Sequence, residues 1–302
     1  MSIALLVLLF AVLFLVFVSL ILFVVGPSLL LQPYRRTIDY YRRHTSLLHP
    51  SQLPYRHEEF ALATGEGIPL SCWLLHPAGE PRGTILYLHG VSESKISGLP
   101  TADLLSKSGF LVMLYDARRH GDSGGRFCTY GFYEKHDVST IISYLQSRTD
   151  LRLGRIGLFG TSMGAAVALQ VAAIDSRIAS VVAESGFARL RSVFDDYQKR
   201  MIKLPFHYLR NIVIMRSEQL AHFKASAVSP VDSVSRIRIP LLLMHGTADP
   251  LIRPSYSQHV FDRANEPKEL WMIPGATHSD TVQMGGDEYR HMVAGFFDRT
   301  LG

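Results

Sequence analysis

Short apolar runs alternate with helix-length segments along most of this chain, and this alternation limits the possible folds more than any other feature. Continuous apolar runs of this length are typical of strands buried on both faces of a parallel sheet. Helical connections between parallel strands place helices on both faces of the sheet. We therefore predict an α/β fold with a mostly parallel central sheet. The predicted strands are 84–88, 111–115, 156–159, 179–183, 240–244 and 270–273, and the predicted helices are 99–108, 134–147, 163–174, 254–265 and 286–299.

Two stretches depart from this alternation. Residues 57–80 carry apolar side chains at alternate positions around a glycine-rich turn at 65–67, which predicts an antiparallel edge hairpin. Residues 187–237 are helical in pattern, contain Pro205 and carry aromatic and basic side chains such as Phe206. A structureless loop of that length is improbable in a compact domain, so we predict a short helical lid above a ligand site.

The first part of the chain is strongly apolar. Residues 3–25 contain no charged side chain, and Ser19 is their only polar residue. A helix of this length covers the roughly 30 Å hydrocarbon core, whereas the apolar part of a signal peptide is about half as long. Because no basic segment precedes it and no small-residue cleavage site precedes Gly26-Pro27, we favour an uncleaved transmembrane anchor over a removed signal. The predicted division is an anchor and start of linker at 1–32, and one folded domain at 33–302.

The charges that flank this segment predict its orientation. Four arginines follow it and none precedes it, so the positive-inside rule places the folded domain in the cytoplasm. The same cluster could contact anionic headgroups or simply form a solvated linker. The arginines are Arg35, Arg36, Arg42 and Arg43.

The remaining bulk features exclude several classes of partner. The net charge is +5, but the basic residues are dispersed and no nucleic-acid-binding motif accompanies them, so we predict no nucleic-acid partner. The two cysteines, Cys72 and Cys128, have no CxxC spacing, which favours buried or reduced thiols over a metal site or a disulfide framework.

The sequence Gly160-Thr161-Ser162-Met163-Gly164 lies between a predicted strand and an alanine-rich helix. In this context GxSxG is typical of a nucleophile elbow, in which a strained turn projects the serine hydroxyl and the helix N-terminus directs positive partial charge toward it. The alternative is an ordinary glycine-rich turn. We predict Ser162 as the nucleophile.

A serine nucleophile requires a base, and the base requires an acid that orients it. His278 follows the last predicted strand and is the candidate base, whereas His89, His120 and His245 are better explained as structural. Asp249 follows strand 240–244 and is the candidate acid. Two alternatives remain: Glu184, at the end of the preceding strand, could replace it, and Asp249 could be a turn or cap residue.

Acyl transfer also requires donors for the oxyanion. The amide of Met163 is one candidate, since it follows the nucleophile. The second candidate is the Val91 amide, in the loop after strand 84–88, where Gly90 permits a sharp approach.

Taken together, these motifs resemble the α/β-hydrolase superfamily over roughly residues 55–302. The motifs Leu88–Gly90, Tyr115–Ser123, Gly160–Gly164 and His245–Asp249, with His278, are similar to its serine-aminopeptidase-like and lysophospholipase-like branch, and the membrane-anchored, short-lidded members look most similar. The resemblance implies the triad roles above, no cofactor, and a structural turn at 120–123. The chain departs from lipases with an extended glycine-rich oxyanion loop, because Val91-Ser92-Glu93 follows His89-Gly90.

These observations predict a membrane-anchored serine hydrolase that cleaves carboxylic ester or thioester bonds of a small or lipid-like acyl substrate, through an acyl-enzyme intermediate. A peptidase or amidase of the same branch and a catalytically silent membrane scaffold are the alternatives. No metal or nucleotide is predicted. The acyl length, the head group and the oligomeric state do not follow from the sequence.

Overall fold

The computed structural model describes residues 2–201 and 207–302, and this part of the chain folds around one eight-stranded sheet. The strands are β1 (His57–Ala63), β2 (Pro69–Leu75), β3 (Thr84–Leu88), β4 (Leu111–Tyr115), β5 (Ile156–Thr161), β6 (Ile178–Glu184), β7 (Leu241–Gly246) and β8 (Lys268–Ile273). Their order across the sheet is β1-β2-β4-β3-β5-β6-β7-β8. Pairings of β1 with β2 and of β2 with β4 are antiparallel, and all the others in this order are parallel.

Of the α-helices of the described residues, five alternate with the strands as predicted, three precede β1, and three lie together between β6 and β7. The helices are α1 (Ile3–Leu20), α2 (Gly26–Leu31), α3 (Ile38–Arg42), α4 (Leu99–Lys107), α5 (Glu134–Ser147), α6 (Met163–Ala172), α7 (Leu190–Met201), α8 (His207–Ala221), α9 (Pro230–Ser233), α10 (Ser255–Arg263) and α11 (Thr281–Leu301). One wide helical turn, Ile21–Val25, joins α1 to α2. Short 3-10 turns lie at Pro50–Gln52, Lys95–Gly98, Ala225–Ala227 and Val234–Arg236.

The predicted fold class is confirmed, and the differences are confined to element ends. The edge hairpin and the bounds of β3 and β4 are as predicted, whereas β5 and β7 continue two residues beyond their apolar runs. The last helix begins at Thr281 rather than at 286. Gly286 has φ 53° and interrupts this helix with a kink, which is why the apolar periodicity becomes regular only beyond it.

Helices cover both faces of the sheet because alternate strand residues point to opposite sides. On β3, Leu86 and Leu88 pack with the buried residues of α5, α6 and α10. Ile85 and Tyr87 pack on the other face with α4 and α11. The parallel strands all end at the same edge of the sheet. Ligand sites in such sheets form at this edge, beyond the carboxyl ends of the strands.

The N-terminal helical segment Ile3–Leu31 is long and apolar enough to cross a membrane, and a signal sequence near the N-terminus would have the same properties. None of the side chains of α1 is buried. In contrast, the segment from Ile21 to Leu31 packs against α8. A Cβ at Gly26 would lie 2.9 Å from a methyl group of Val213, and Leu31 is completely buried. The division at residue 32 stays a prediction. The end of the apolar segment packs against the folded domain through α8.

The stretch 187–237 is helical, as predicted, and contains α7, α8 and α9. Pro205 and Phe206 lie outside the described residues. Helix α7 contacts both the loop after β7 and α10, because Asp196 accepts hydrogen bonds from Arg253 in that loop and from the hydroxyl of Tyr256 in α10, the latter at 2.6 Å. This insertion therefore lies beside the edge of the sheet where β7 ends, and its role as a lid stays a prediction.

Candidate active site

Three of the predicted site residues follow three different strands at the same edge of the sheet. Ser162 follows β5, Asp249 follows β7 and His278 follows β8. Because these strands run parallel, their carboxyl ends meet, and side chains far apart in sequence come together. The structure thus brings together residues separated by 116 and by 29 positions.

The backbone at Ser162 adopts φ 53° and ψ −114°, a conformation that costs energy in a residue with a side chain. Its amide donates a hydrogen bond to the Glu184 carbonyl on β6 at 2.8 Å, which fixes the turn against the sheet. A Cβ at Gly160 would lie 2.3 Å from the Gly164 carbonyl oxygen, and a Cβ at Gly164 would lie 1.9 Å from the Leu88 carbonyl oxygen. Only glycine fits at both ends of this turn.

The three side chains form a continuous hydrogen-bonded series. The Ser162 hydroxyl lies 3.0 Å from Nε2 of His278, and Nδ1 of His278 lies 2.6 Å from Oδ2 of Asp249. Because a carboxylate accepts hydrogen bonds, Nδ1 of His278 carries a proton. Nε2 is then free to accept the proton of the serine hydroxyl.

Asp249 is held ionised by its surroundings. Its side chain is completely buried, which by itself would raise the pKa. Hydrogen bonds from His245 and His278 and from the Ile252 amide outweigh burial, and they place the pKa of Asp249 well below its usual range. Its other oxygen, Oδ1, accepts the amides of Leu251 and Ile252 at 2.7 and 2.9 Å. The carboxylate therefore has a fixed orientation and a fixed charge.

His245 supports this carboxylate. Its Nε2 lies 3.2 Å from Oδ2 of Asp249 and 3.0 Å from the Ile252 carbonyl, and both of these groups accept. Nε2 therefore carries the proton, and Nδ1 accepts from the Ser257 hydroxyl at 2.6 Å. The prediction of a structural histidine did not anticipate this contact with the acid, although His245, on β7, lies only four residues before Asp249.

Glu184, the alternative acid, makes other contacts. It is buried, and its carboxylate accepts hydrogen bonds from the hydroxyls of Thr281 and Tyr289, the latter at 2.5 Å. Burial raises the pKa of Glu184, and these hydroxyls oppose the shift. The structure therefore pairs His278 with Asp249, while Glu184 joins the start of α11 to β6.

The predicted oxyanion donors lie on the two backbone segments that flank the nucleophile. Met163 begins α6, where the first amides of a helix have no partner within the helix. Val91 lies in the loop after β3, next to Gly90, where a Cβ would lie 3.3 Å from the Cβ of Ser162. The loop thus approaches the serine closely, and the roles of the two amides stay predictions.

Buried polar contacts fix the base of this loop. His89 accepts the Ala117 amide at Nε2 (2.9 Å), so its Nδ1 donates to the Gly90 carbonyl (2.7 Å). Asp116, which follows β4 and precedes the predicted structural turn at 120–123, accepts from both the amide and the ammonium group of Lys95. Neither His89 nor His120 contacts Ser162 in the hydrogen-bonded series above, in keeping with the structural roles predicted for them.

The two cysteines and a cluster of histidines lie outside the hydrogen-bonded series, although Sγ of Cys128 lies 3.5 Å from Sδ of Met163. Cys72 and Cys128 are buried and free, and burial raises the pKa of Cys72 to about 12, which suits inert thiols. Ligand atoms of His49, which precedes the 3-10 turn Pro50–Gln52, and of His57 and Glu59 on β1 lie within 4.8 Å of one another. However, Nδ1 of His49 accepts the Ser51 amide, so its Nε2 carries a proton and donates to Glu59. This arrangement suits a hydrogen-bonded pair better than a metal site.

Comparisons with known proteins agree with the fold described above. A family model described as serine aminopeptidase, S33, matches residues 79–230 and 216–281. The uncharacterized protein YqkD of Bacillus subtilis is 30% identical over 241 residues, which is 79% of this chain and 78% of that protein. The uncharacterized protein YfhR of Escherichia coli is 29% identical over 283 residues, 91% and 92% of the two chains. The Pyrococcus furiosus esterase Pf2001 superposes with a TM-score of 0.74 at 27% identity, covering 90% of this chain and 99% of that one.

Proposed function

Because this chain belongs to the serine aminopeptidase S33 family of α/β-hydrolases, we propose that it is a serine hydrolase that cleaves carboxylic ester or thioester bonds. One observation carries the proposal: the hydroxyl of Ser162, the imidazole of His278 and the carboxylate of Asp249 form a single hydrogen-bonded series. This arrangement is the one that activates a serine hydroxyl in acyl transfer.

In the first half of the reaction, the Ser162 oxygen attacks the carbonyl carbon of the substrate. His278 accepts the hydroxyl proton at Nε2, and Asp249 stabilises the imidazolium that forms, through its bond to Nδ1. The carbonyl oxygen becomes an oxyanion, for which the amides of Met163 and Val91 are the proposed donors. Collapse of this intermediate breaks the bond to the alcohol or thiol, which leaves with the proton from His278.

In the second half, water attacks the acyl-serine carbonyl and gives its proton to Nε2 of His278. The second tetrahedral intermediate collapses to release the carboxylic acid, and His278 returns the proton to Ser162. No cofactor is required for either half. Asp249 remains ionised throughout, which agrees with the lowered pKa described above.

Esters and thioesters are favoured over amides on the basis of similarity. The Pyrococcus furiosus relative is an esterase, at 27% identity over almost its whole length. The family model, however, is described as a serine aminopeptidase, which supports amide hydrolysis as the second candidate. The two differ at the leaving group, because an amine must be protonated by His278 before it departs, whereas an alkoxide or thiolate departs more readily.

We further propose that the apolar segment 3–25 anchors the enzyme in a membrane, with the folded domain in the cytoplasm, and that the substrate is lipid-like. The end of this segment packs against α8, so an anchored segment would hold α8 close to the membrane surface. Helix α8 exposes apolar side chains, namely Tyr208, Leu209 and Met215. These side chains suit contact with the acyl boundary of a leaflet.

A fluorophosphonate probe and an ester series test this proposal. Purified protein in detergent should label with the probe and hydrolyse p-nitrophenyl esters, whereas Ser162→Ala should do neither; Ser235→Ala, at an exposed serine, is the control. Offering the matched anilides separates esterase from amidase activity. Equal labelling of wild type and Ser162→Ala, with no ester or anilide hydrolysis, would refute the proposal in favour of a silent scaffold.

A further inference from the structure

Glu93 lies in the loop after β3, two residues beyond Val91, and its carboxylate holds that loop in place. Oε2 accepts the Gly90 amide at 3.2 Å and the Ser97 hydroxyl at 3.2 Å. Oε1 faces Nη1 of Arg36 at 3.1 Å, across 57 residues of sequence. The Glu93 carboxylate thus holds the backbone of the loop at Gly90, and the guanidinium group of Arg36 holds the carboxylate.

The same carboxylate lies close to the nucleophile. A Cβ at Gly90 would contact both groups, at 3.2 Å from Oε2 of Glu93 and 3.3 Å from the Cβ of Ser162. Any negative charge that develops on a substrate oxygen bound by the Val91 amide would therefore form near an existing negative charge. Two like charges at such a distance repel each other, and the repulsion is strong where water is partly excluded.

Arg36 is placed to compensate this charge. Both partners are about one-third exposed, with side-chain accessibilities of 32% for Arg36 and 29% for Glu93. The Arg36 amide also donates to the Ser92 carbonyl at 3.3 Å, and its guanidinium stacks over the ring of Tyr40 at 4.6 Å. Arg36 lies between α2 and α3, so the linker that leaves the apolar segment directly contacts this loop.

We propose that Arg36 is a positioning residue that neutralises Glu93 and thereby permits the loop to stabilise an oxyanion. This inference rests on the proposed function, since it assumes that Ser162 forms tetrahedral intermediates. If Arg36 has this role, the rate of catalysis depends on the linker that contains Arg36 and joins the apolar segment to the sheet. Glu93 acts on the Gly90 amide and on the charge balance of the site, and neither Glu93 nor Arg36 touches the reacting atoms.

A double-mutant cycle in the full chain, in detergent, tests the proposal with a soluble p-nitrophenyl ester. Arg36→Ala should lower kcat about tenfold and leave KM within about twofold, because the interaction acts on the oxyanion rather than on the bound substrate. Arg36→Lys should retain most of the activity because it keeps the charge. In a Glu93→Gln background, where the amide oxygen still accepts from Gly90, Arg36→Ala should change kcat less than about twofold. Arg42→Ala, at the end of α3, where the guanidinium pairs with exposed Asp39, is the control.

The outcomes separate the possible failures. A purely structural role for Arg36 predicts the same loss of kcat in both backgrounds together with a lower melting temperature, and that result overturns the inference. An unchanged kcat for Arg36→Ala overturns it as well. If Arg36→Ala does not fold, Arg36→Gln serves the same cycle. A wild-type protein that hydrolyses no ester and labels no better than Ser162→Ala identifies failure of the proposed function instead.

Discussion

Oδ2 of Asp249 lies 2.6 Å from Nδ1 of His278, and Oδ1 of the same carboxylate accepts two backbone amides of its own loop. The imidazole is therefore oriented by a group that is itself held at both oxygens. Glu184, one strand away, ends at the same edge of the sheet, but its carboxylate binds the hydroxyls of Thr281 and Tyr289. The two carboxylates thus have separable roles, one toward the imidazole and one toward the packing of α11.

Replacing each carboxylate by its amide should show this separation. Asp249→Asn should lower kcat by about 10⁴-fold, because the amide stabilises the wrong tautomer of His278 and no imidazolium. Glu184→Gln should lower kcat no more than about tenfold, since it lies outside the series and mainly weakens the contacts to α11. Steady-state ester hydrolysis measures both. A larger loss for Glu184→Gln than for Asp249→Asn would reverse the assignment.

Substitution of Gly164 should destabilise the fold rather than merely slow the reaction. A Cβ at this position would lie 1.9 Å from the backbone oxygen of Leu88, which cannot move without shifting β3. We expect Gly164→Ala to lower the free energy of unfolding by about 3 kcal/mol, the upper part of the usual range for overpacking. Gly65→Ala is the control, because no atom lies within 4 Å of its Cβ position. Chemical denaturation in detergent measures both, and equal stabilities would contradict the packing argument.

His120 should make the fold sensitive to mild acid. Burial, together with the nearby His89 ring, lowers the pKa of His120 to about 3. In the unfolded chain it titrates near 6.5, so below that pH the unfolded state binds the extra proton and stability falls until the pH reaches the folded-state pKa. Between pH 7 and pH 5 this loss is about 2 kcal/mol.

The variant His120→Phe isolates this effect. It removes the titrating group while keeping an aromatic ring against His89, so its stability should fall about 2 kcal/mol less than that of wild type over the same pH interval. Denaturation curves at pH 7 and pH 5 give the difference. Parallel losses in the two proteins would show that His120 does not remain neutral in the fold.

Two deletions should separate the exposed and the packed parts of the apolar segment. Removal of residues 2–20 should abolish sedimentation with membranes but leave short-chain ester hydrolysis and the melting temperature nearly unchanged, since no side chain of α1 is buried. Removal of residues 2–31 should also destabilise the fold by about 3 kcal/mol or more, because it removes buried Leu22 and Leu31. Membrane fractionation and thermal unfolding measure the two effects. Retention of the shorter deletion in the membrane fraction would contradict the anchor.

The sequence by itself was sufficient for the order of strands and helices and for the positions of Ser162, Asp249 and His278 at strand ends. Apolar runs indicate strands buried on both faces, and glycines on either side of a serine indicate a tight turn with no room for side chains at the glycine positions. Both signals are local in the sequence. The kink at Gly286 and the two-residue extensions of β5 and β7 were not anticipated, since helix and strand ends depend on tertiary hydrogen bonds as well as on pattern.

The tertiary structure decided which partners these residues take. Glu184 ends β6 and Asp249 follows β7 at the same edge, and the direction of each side chain distinguishes them. The pairing of Arg36 with Glu93 and the packing of Gly26 against Val213 join segments that are remote in sequence. Local patterns contain no information about such contacts, because they depend on the paths of loops around the sheet and on the space that the other elements leave.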